Sequence, residues 1–438
     1  MRRMVFLLLA LFTALPAAAQ MEVRAIKAGH LVDPESGTAL ANQTILIERD
    51  PATNRSRIVA VGPNVAIPAG AEVIDLSDQW VLPGLVDSHD HLGITYKEEP
   101  ESWNYYYTII QDSTPLRAIQ SASTGFQKLA SGFTIVRDLG NNGLYADTAF
   151  RQAVEMGWVP GPTMINSGII IGGFGGQLYE TPEREDTVYP EYLNADTDDE
   201  IVKTIRRNIH YGAKVIKVCV DCQAYPYTQA QLELFVRESA NAGKKVSGHV
   251  QTTEGALRAA RAGLWSLDHD NALTPEVHRI MAEKGIFRAG TETPMTEWSR
   301  VGEAEWNRRL AGLKDAYAQG VPLTFSTDAD YYVPGFNRGE LTIEFLKTWT
   351  AAGIPNVDIL RALTVNGYRI SETTDTRGLI KVGLAADIIA ASANPLDDIH
   401  ALRDVTFVMK DGKVFKKDGV VAPLDFFHNG PVYGWRKR

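Results

Sequence analysis

The chain has 438 residues, of which 45% are hydrophobic and 22% charged, an ordinary globular profile with length enough for an extensive buried core. Its formal net charge is −9 and it contains no long Lys/Arg run, which argues against nucleic acid as a main partner. With only two cysteines, a structural site of four thiolates is excluded.

Residues 1–19 read as a signal peptide: Arg2 and Arg3 make a positive start, an apolar run follows from Val5 to Leu15, and Ala17-Ala18-Ala19 supplies the small-x-small cleavage pattern before Gln20. The run is shorter than the ~20 residues a membrane helix needs. No Cys marks a lipid anchor, and no later stretch is apolar enough to span. The expectation is a periplasmic or secreted protein with no stable membrane insertion after the leader is cut. The basic end Arg436-Lys437-Arg438 reads as part of a solvated tail at 426–438.

Residues 22–81 carry short strand-like runs such as "QTILIERD" and "RIVAVG", punctuated by Pro and Gly and without helical period. Residues 373–425 repeat that texture, with Lys410-Asp411-Gly412-Lys413 as a hairpin turn. The two segments are expected to form one small β-sandwich domain. Between them, over 82–372, apolar strands such as "FTIVRD", "KVIKVCV" and "PLTFSTD" alternate with helical stretches such as "TQAQLELFVRESANAG". That alternation predicts an α/β architecture, and its length fits a (β/α)8 TIM-like barrel.

In such a barrel, chemistry converges at the C-terminal ends of the strands. His89 and His91, in "GLVDSHDHLG", lie two apart, so along a strand both imidazoles face one way and Asp90 the other. The pair alone is more at home as two ordinary strand histidines, since histidine is also common in hydrogen-bonded cores. Lys217 sits within the apolar run "AKVIKVCV", where a buried amine is costly unless paired or neutralised, or else snorkels to a strand end. His249 closes "KVSGHV", His269 closes "SLDHD" and Asp328 closes "LTFSTD". Six polar residues placed at successive strand ends predict a metal centre. Cys219 and Cys222 are spaced as C-x-x-C, which leaves a local disulfide and free thiols equally open.

These motifs together resemble the amidohydrolase superfamily, and within it the imidazolonepropionase-like and Xaa-Pro-dipeptidase-like branch. The matching residues are "GLVDSHDHL", "GFTIVRDLG", "IKV" with Lys217, His249, "GLWSLDHD" with His269, "STD" with Asp328, and the trailing "GLIKVGLAADIIAASANPLDDI". The resemblance spans about residues 22 to 425. It implies two divalent metal ions, zinc being the expected ion and manganese or cobalt alternatives, bridged by a CO2-derived carbamate on Lys217. It further implies that His89, His91 and Asp328 hold one ion and His249 and His269 the other. Asp328 then takes the proton of the attacking hydroxide and passes it to the leaving amine.

The chain departs from that pattern in two places. Phe174, in "GGFGGQ", stands where many relatives carry histidine, and His249-Val250-Gln251 replaces their His-x-His, so a less basic pocket is expected. Tyr227 either touches substrate or packs against a helix start, and Phe174 is a second candidate at the substrate. Arg137 is expected to pair with Asp138 or a backbone group, and His30, His210, His278, His400 and His428 fall outside the motifs. Long loops at 93–115 and 174–200 are expected over the site mouth. The leading expectation is an amide-bond hydrolase acting on a small molecule such as an Xaa-Pro-like dipeptide or N-acyl amino acid. Alternatives are a hydrolase of a cyclic amide, lactone or phosphoester on the same scaffold, and a non-catalytic exported binding protein. Lys217 counts against a one-metal deaminase. The oligomeric state stays open, a homo-oligomer included.

Overall fold

The computed structural model describes residues 21–51, 53, 55–95, 111–178 and 191–422. The expected signal peptide and the tail at 426–438 lie outside the described residues, as do 96–110 and 179–190 within the two long loops. The strands in chain order are β1 (Glu22–Asp33), β2 (Thr38–Asp50), β3 (Arg55–Gly62), β4 (Glu72–Pro83), β5 (Leu85–Asp90), β6 (Phe133–Asp138), β7 (Thr163–Asn166), β8 (Ile170–Gly172), β9 (Tyr192–Asn194), β10 (Ile216–Cys219), β11 (Val246–His249), β12 (Ser266–Asp268), β13 (Phe287–Ala289), β14 (Ile388–Ala391), β15 (Val405–Lys410), β16 (Lys413–Lys417) and β17 (Val420–Val421).

The two ends of the chain share one eight-stranded sheet, ordered β17-β16-β15-β14-β4-β1-β2-β3. The junction is the antiparallel pairing of β14 with β4, where Ala391 faces Trp80 and Ile388 faces Pro83. Edge strand β3 comes back to the segment that enters β14: the Ile58 amide donates to the Leu384 carbonyl at 2.8 Å, and the Gly383 amide to the Ile58 carbonyl at 2.8 Å. The alternating burial of β2 turns Ile45 and Ile47 into a core with Ile26, Ile74, Ile388 and Phe407.

The middle of the chain is α/β, with helices between short parallel strands. Its strands pair in two ladders, β13-β12-β11-β10-β8-β9 and β5-β6-β7, rather than in one continuous eight-membered ring. A few backbone hydrogen bonds join their margins, two of the junctions running through the segment 322–325. The Lys214 amide donates to Asn166 O at 2.7 Å, the Arg288 amide to Pro322 O at 2.9 Å, and the Ser88 amide to Phe325 O at 2.9 Å. Strands β5, β6 and β10 are buried at every position, as expected of parallel strands covered on both faces. Among the described residues no helix is long and apolar enough to cross a membrane.

The first strand of this region is anchored by a buried charge cluster. Pairing of β5 with β6 shifts register between Asp87 and Asp90, and such a bulge re-aims side chains. Both carboxylates meet the Lys128 amine, at 2.7 Å from Asp87 Oδ2 and 2.6 Å from Asp90 Oδ2, with all three side chains fully buried. Lys128 comes from helix Thr114–Ala130 and also contacts Thr342 of helix Arg338–Glu344. Thr327 Oγ1 donates to Asp87 Oδ2 at 2.7 Å, and Arg338 reaches Asp90 Oδ1 at 3.3 Å. One amine thus ties two helices to the strand that carries His89 and His91, and Asp87 ties in the Thr327 turn. Removing one partner of a buried ion pair strands the others without compensation, at about 3–5 kcal/mol. Lys128→Met is therefore expected to lower unfolding stability by about that amount, read from urea unfolding, whereas a loss under about 1 kcal/mol would contradict the anchoring role.

Candidate metal centre

The strand ladders set which side chains face each other. Register partners on adjacent strands share a face, and β10, β11 and β12 align Lys217 with Ser247 with Ser266, and Cys219 with His249 with Asp268. His269 follows Asp268 directly and would point away if the strand simply continued. Its backbone turns into the left-handed region instead, at φ +68°, and Asp328 does the same at φ +55°. Non-glycine residues seldom adopt this conformation, and it concentrates at functional sites.

The result is a compact cluster. Asp328 Oδ1 lies 3.1 Å from His91 Nε2 and 3.7 Å from His89 Nε2, and Asp328 Oδ2 lies 3.6 Å from His269 Nδ1. His89 Nε2 and His91 Nε2 are 3.2 Å apart, and His91 Nδ1 is 2.8 Å from the Gly140 carbonyl, which orients its ring. The turn that carries Asp328 is held over β5 by its own amide, which donates to the His89 carbonyl at 2.8 Å. Lys217, 1% exposed, contacts Asp268 Oδ2, and Asp268 also accepts from the Ser247 hydroxyl at 2.8 Å and the Ser266 hydroxyl at 3.2 Å.

His249 stands beside this cluster, with its ring centroid 4.2 Å from that of His269, but its Nε2 meets the side-chain amides of Gln177 at 3.2 Å and Gln251 at 3.0 Å. Gln251 occupies one of the two positions where the chain departs from its relatives' histidines. Phe174 is more than half exposed, and its backbone amide donates to Asp196 at 3.2 Å. Tyr227 is buried, packs edge-on against Phe235 and donates its hydroxyl to the Ala195 carbonyl at 2.7 Å, the packing alternative for this residue. It immediately precedes Thr228, the N-cap of helix Gln229–Asn241. Arg137 donates to the Ser88 carbonyl at 3.0 Å, a backbone partner.

Sequence reasoning missed Asp268 and the serines behind it. The signal was present in "SLDHD", where an acid precedes the histidine, but alternation assigns neighbouring residues to opposite faces. Only the left-handed turn at His269 brings both inward.

The donor set fits divalent cations. His89, His269 and Asp328 each offer one ligand atom within 4.8 Å of the others. His89 Nδ1 and His269 Nε2 are buried without a hydrogen-bond partner among the described residues, and a buried polar atom left unpaired costs about 1–3 kcal/mol. Burial, reinforced by Lys217 and neighbouring imidazoles, holds His89 and His249 well below the ordinary histidine range, and burial also lowers His269. The neutral imidazole is the form that ligates metals. Burial lowers Lys217 as well, against the pull of Asp268. His91 is the exception: burial disfavours its cation, but the bonded Asp328 carboxylate outweighs that and holds it up at about 9. Burial opposes the Asp328 anion, yet the His91 hydrogen bond and the surrounding cations keep it below the usual carboxylate range.

The profile of the amidohydrolase family matches residues 80–415. Ochratoxinase of Aspergillus niger is 26% identical over 446 aligned positions, covering 92% of this chain and 88% of that protein. Imidazolonepropionase of Alkaliphilus metalliredigens is 24% identical over 404 positions, covering 84% and 90%. Among solved structures, an Xaa-Pro dipeptidase with bound methionine superposes with a TM-score of 0.77 at 25% identity, covering 90% of this chain and all of that one. The A. niger ochratoxinase structure superposes with a TM-score of 0.74 at 25% identity, covering 92% and 97%. A family match over most of the length, on a fold shared with these enzymes, establishes that this chain belongs to the amidohydrolase family and is a hydrolase.

Proposed function

We propose that this chain hydrolyses an amide C–N bond in a small substrate, such as a dipeptide or an N-acyl amino acid, at a centre of two divalent ions, zinc being the expected metal. The observation that carries the reading is geometric: His89, His269 and Asp328 bring one ligand atom each to within 4.8 Å of the others, His91 lies 3.1 Å from Asp328, and the buried Lys217 meets Asp268, which is 3.7 Å from His89. We read the two ladders and their joining hydrogen bonds as staves of one (β/α)8 barrel, covering 82–372, with the terminal segments as its small β domain. Export to the periplasm or medium belongs to the same proposal.

His89, His91, His249, His269 and Asp328 would hold the ions, with Lys217, carried as a carbamate, as their shared anionic ligand. Such ions supply an activated water at neutral pH and polarise a carbonyl. Carbamate formation requires the Lys217 amine to leave Asp268, whose oxygens keep the hydroxyls of Ser247 and Ser266. Asp328 presents one oxygen to His91 and His89 and the other to His269, which supports reading it as the carboxylate that would take a proton from water and return it to the leaving amine. The Xaa-Pro dipeptidase and ochratoxinase relatives support cleavage of a small conjugate. The imidazolonepropionase relatives support a cyclic amide as the second reading, beside which a lactone or phosphoester remains the alternative on the same scaffold.

Metal analysis together with a substrate panel tests the proposal. Close to two ions per chain is expected, with turnover of Xaa-Pro dipeptides or N-acyl amino acids. One ion or none contradicts the two-metal centre, and turnover confined to lactones and phosphotriesters contradicts the amide reading. Lys217→Ala is expected to lower kcat by about 10³-fold or more, as loss of a group central to the chemistry does, with partial recovery on adding short carboxylic acids. Undiminished activity would remove Lys217 from the centre.

The His91–Asp328 pair sets a pH dependence in the metal-free protein. With His91 at about 9 when folded, against an ordinary 6.5, its stabilisation is complete below about 6.5 and lost as pH rises through about 9. The loss is on the order of a few kcal/mol. Urea unfolding across that window should show this decline in the wild-type chain and a nearly flat response in Asp328→Asn.

A further inference from the structure

The C-x-x-C pair lies against the metal centre. Cys219 and Cys222 are joined as a disulfide, with Cα atoms 5.6 Å apart, inside the range such bonds require. Cys219 is the register partner of His249 across the β10–β11 ladder, so its sulfur and the imidazole share a face. Both sulfurs and one ring nitrogen of His249 lie within 4.8 Å of one another. Sulfur ligands of a tetrahedral zinc site stand about 3.7 Å apart, so once the bond is opened the two sulfurs must separate from bonding distance to take an ion, with His249 in reach of both. The cysteines are buried, and they line a cavity of about 220 Å³ with Gly173, Gln223 and Tyr225.

We propose that Cys219, Cys222 and His249 form a second cation site that exists only when the disulfide is reduced, a two-thiolate, one-imidazole set suited to zinc, cadmium or cobalt. Reduction by a dithiol delivers two electrons and two protons, giving two thiols while the dithiol closes to its own disulfide. On binding, each thiol releases its proton to solvent and the sulfur lone pairs take the ion. Resting on the reading of His249 as a ligand of the hydrolytic centre, the two sites compete for one imidazole. Reduction therefore withdraws His249 from catalysis and reoxidation returns it. An oxidising compartment keeps the pair closed and the hydrolytic centre complete.

Cobalt(II) is the probe, because thiolate ligation adds a near-ultraviolet charge-transfer band that nitrogen and oxygen ligands do not. The whole protein is loaded with cobalt, and its spectrum compared before and after tris(2-carboxyethyl)phosphine, which takes an oxygen from water as it opens the bond to two thiols. Free thiols are counted in parallel. The band is expected to grow as two thiols per chain appear, to vanish on reoxidation, and to be missing from Cys222→Ala. In His249→Gln the reduced protein should bind this cobalt about tenfold more weakly or worse. Two titratable thiols with no charge-transfer band overturn the proposal, and so does a band whose cobalt affinity is unchanged in His249→Gln. The wild-type comparison needs no variant to fold. The band reports sulfur ligation alone, so a protein inactive under every condition counts against the hydrolytic reading while this test still decides its own question.

Discussion

A lysine amine enclosed by parallel strands cannot persist without an anion beside it, and the contact between Lys217 and Asp268 is the constraint around which the centre is arranged. Asp268 occupies the inward slot that ends β12 and is braced by Ser247 and Ser266 from the layer that also holds Lys217. Because Asp268 takes that slot, the next residue reaches the centre only by a left-handed turn, and His269 makes it. Asp328 reaches the same point from the other margin by the same device. The Lys128 cluster behind β5 holds the third contributor, with its own buried amine placed between two carboxylates. Two buried lysines on separate elements therefore organise the region, one facing the chemistry and one facing the helices.

Much of this was legible in the residues themselves. The alternation of strands and helices marked the middle of the chain as α/β, and the punctuated β texture at both ends foretold strands that turn out to share one sheet. His89, His91, His269 and Asp328 were identifiable because each closes a short apolar run, and the structure gathers all four. What could not be read were features set by backbone conformation and long-range pairing. Nothing in "SLDHD" announces that both Asp268 and His269 turn inward, and nothing in "GLVDSHD" announces the register shift that aims Asp87 and Asp90 at one amine. The orientation of His249 was also hidden, since its amide partners Gln177 and Gln251 arrive from different loops.

Those two glutamines give the centre an uneven character. His89 and His91 are enclosed, whereas Asp328 and His249 are only partly buried, and His249 lies beside the cysteine pair that lines a cavity. Tyr192 extends this polar edge, with its hydroxyl donating to Gln177 Oε1 at 2.5 Å. The enclosed side presents its imidazoles to a carboxylate, and the Gln-flanked side presents its imidazole to neutral amides.

The pairing of β4 with β14 has a consequence for how the chain is made. Strand β4 is complete by Pro83, but the strand that covers its free edge begins only at Ile388, roughly 300 residues later. During synthesis at about 5–20 residues per second, that edge stays uncovered for about 15–60 s while the α/β region emerges. An uncovered edge is a template for pairing with another chain. The late return of β14 makes its own emergence the step that seals this edge of the nascent protein against association with its neighbours on the polysome.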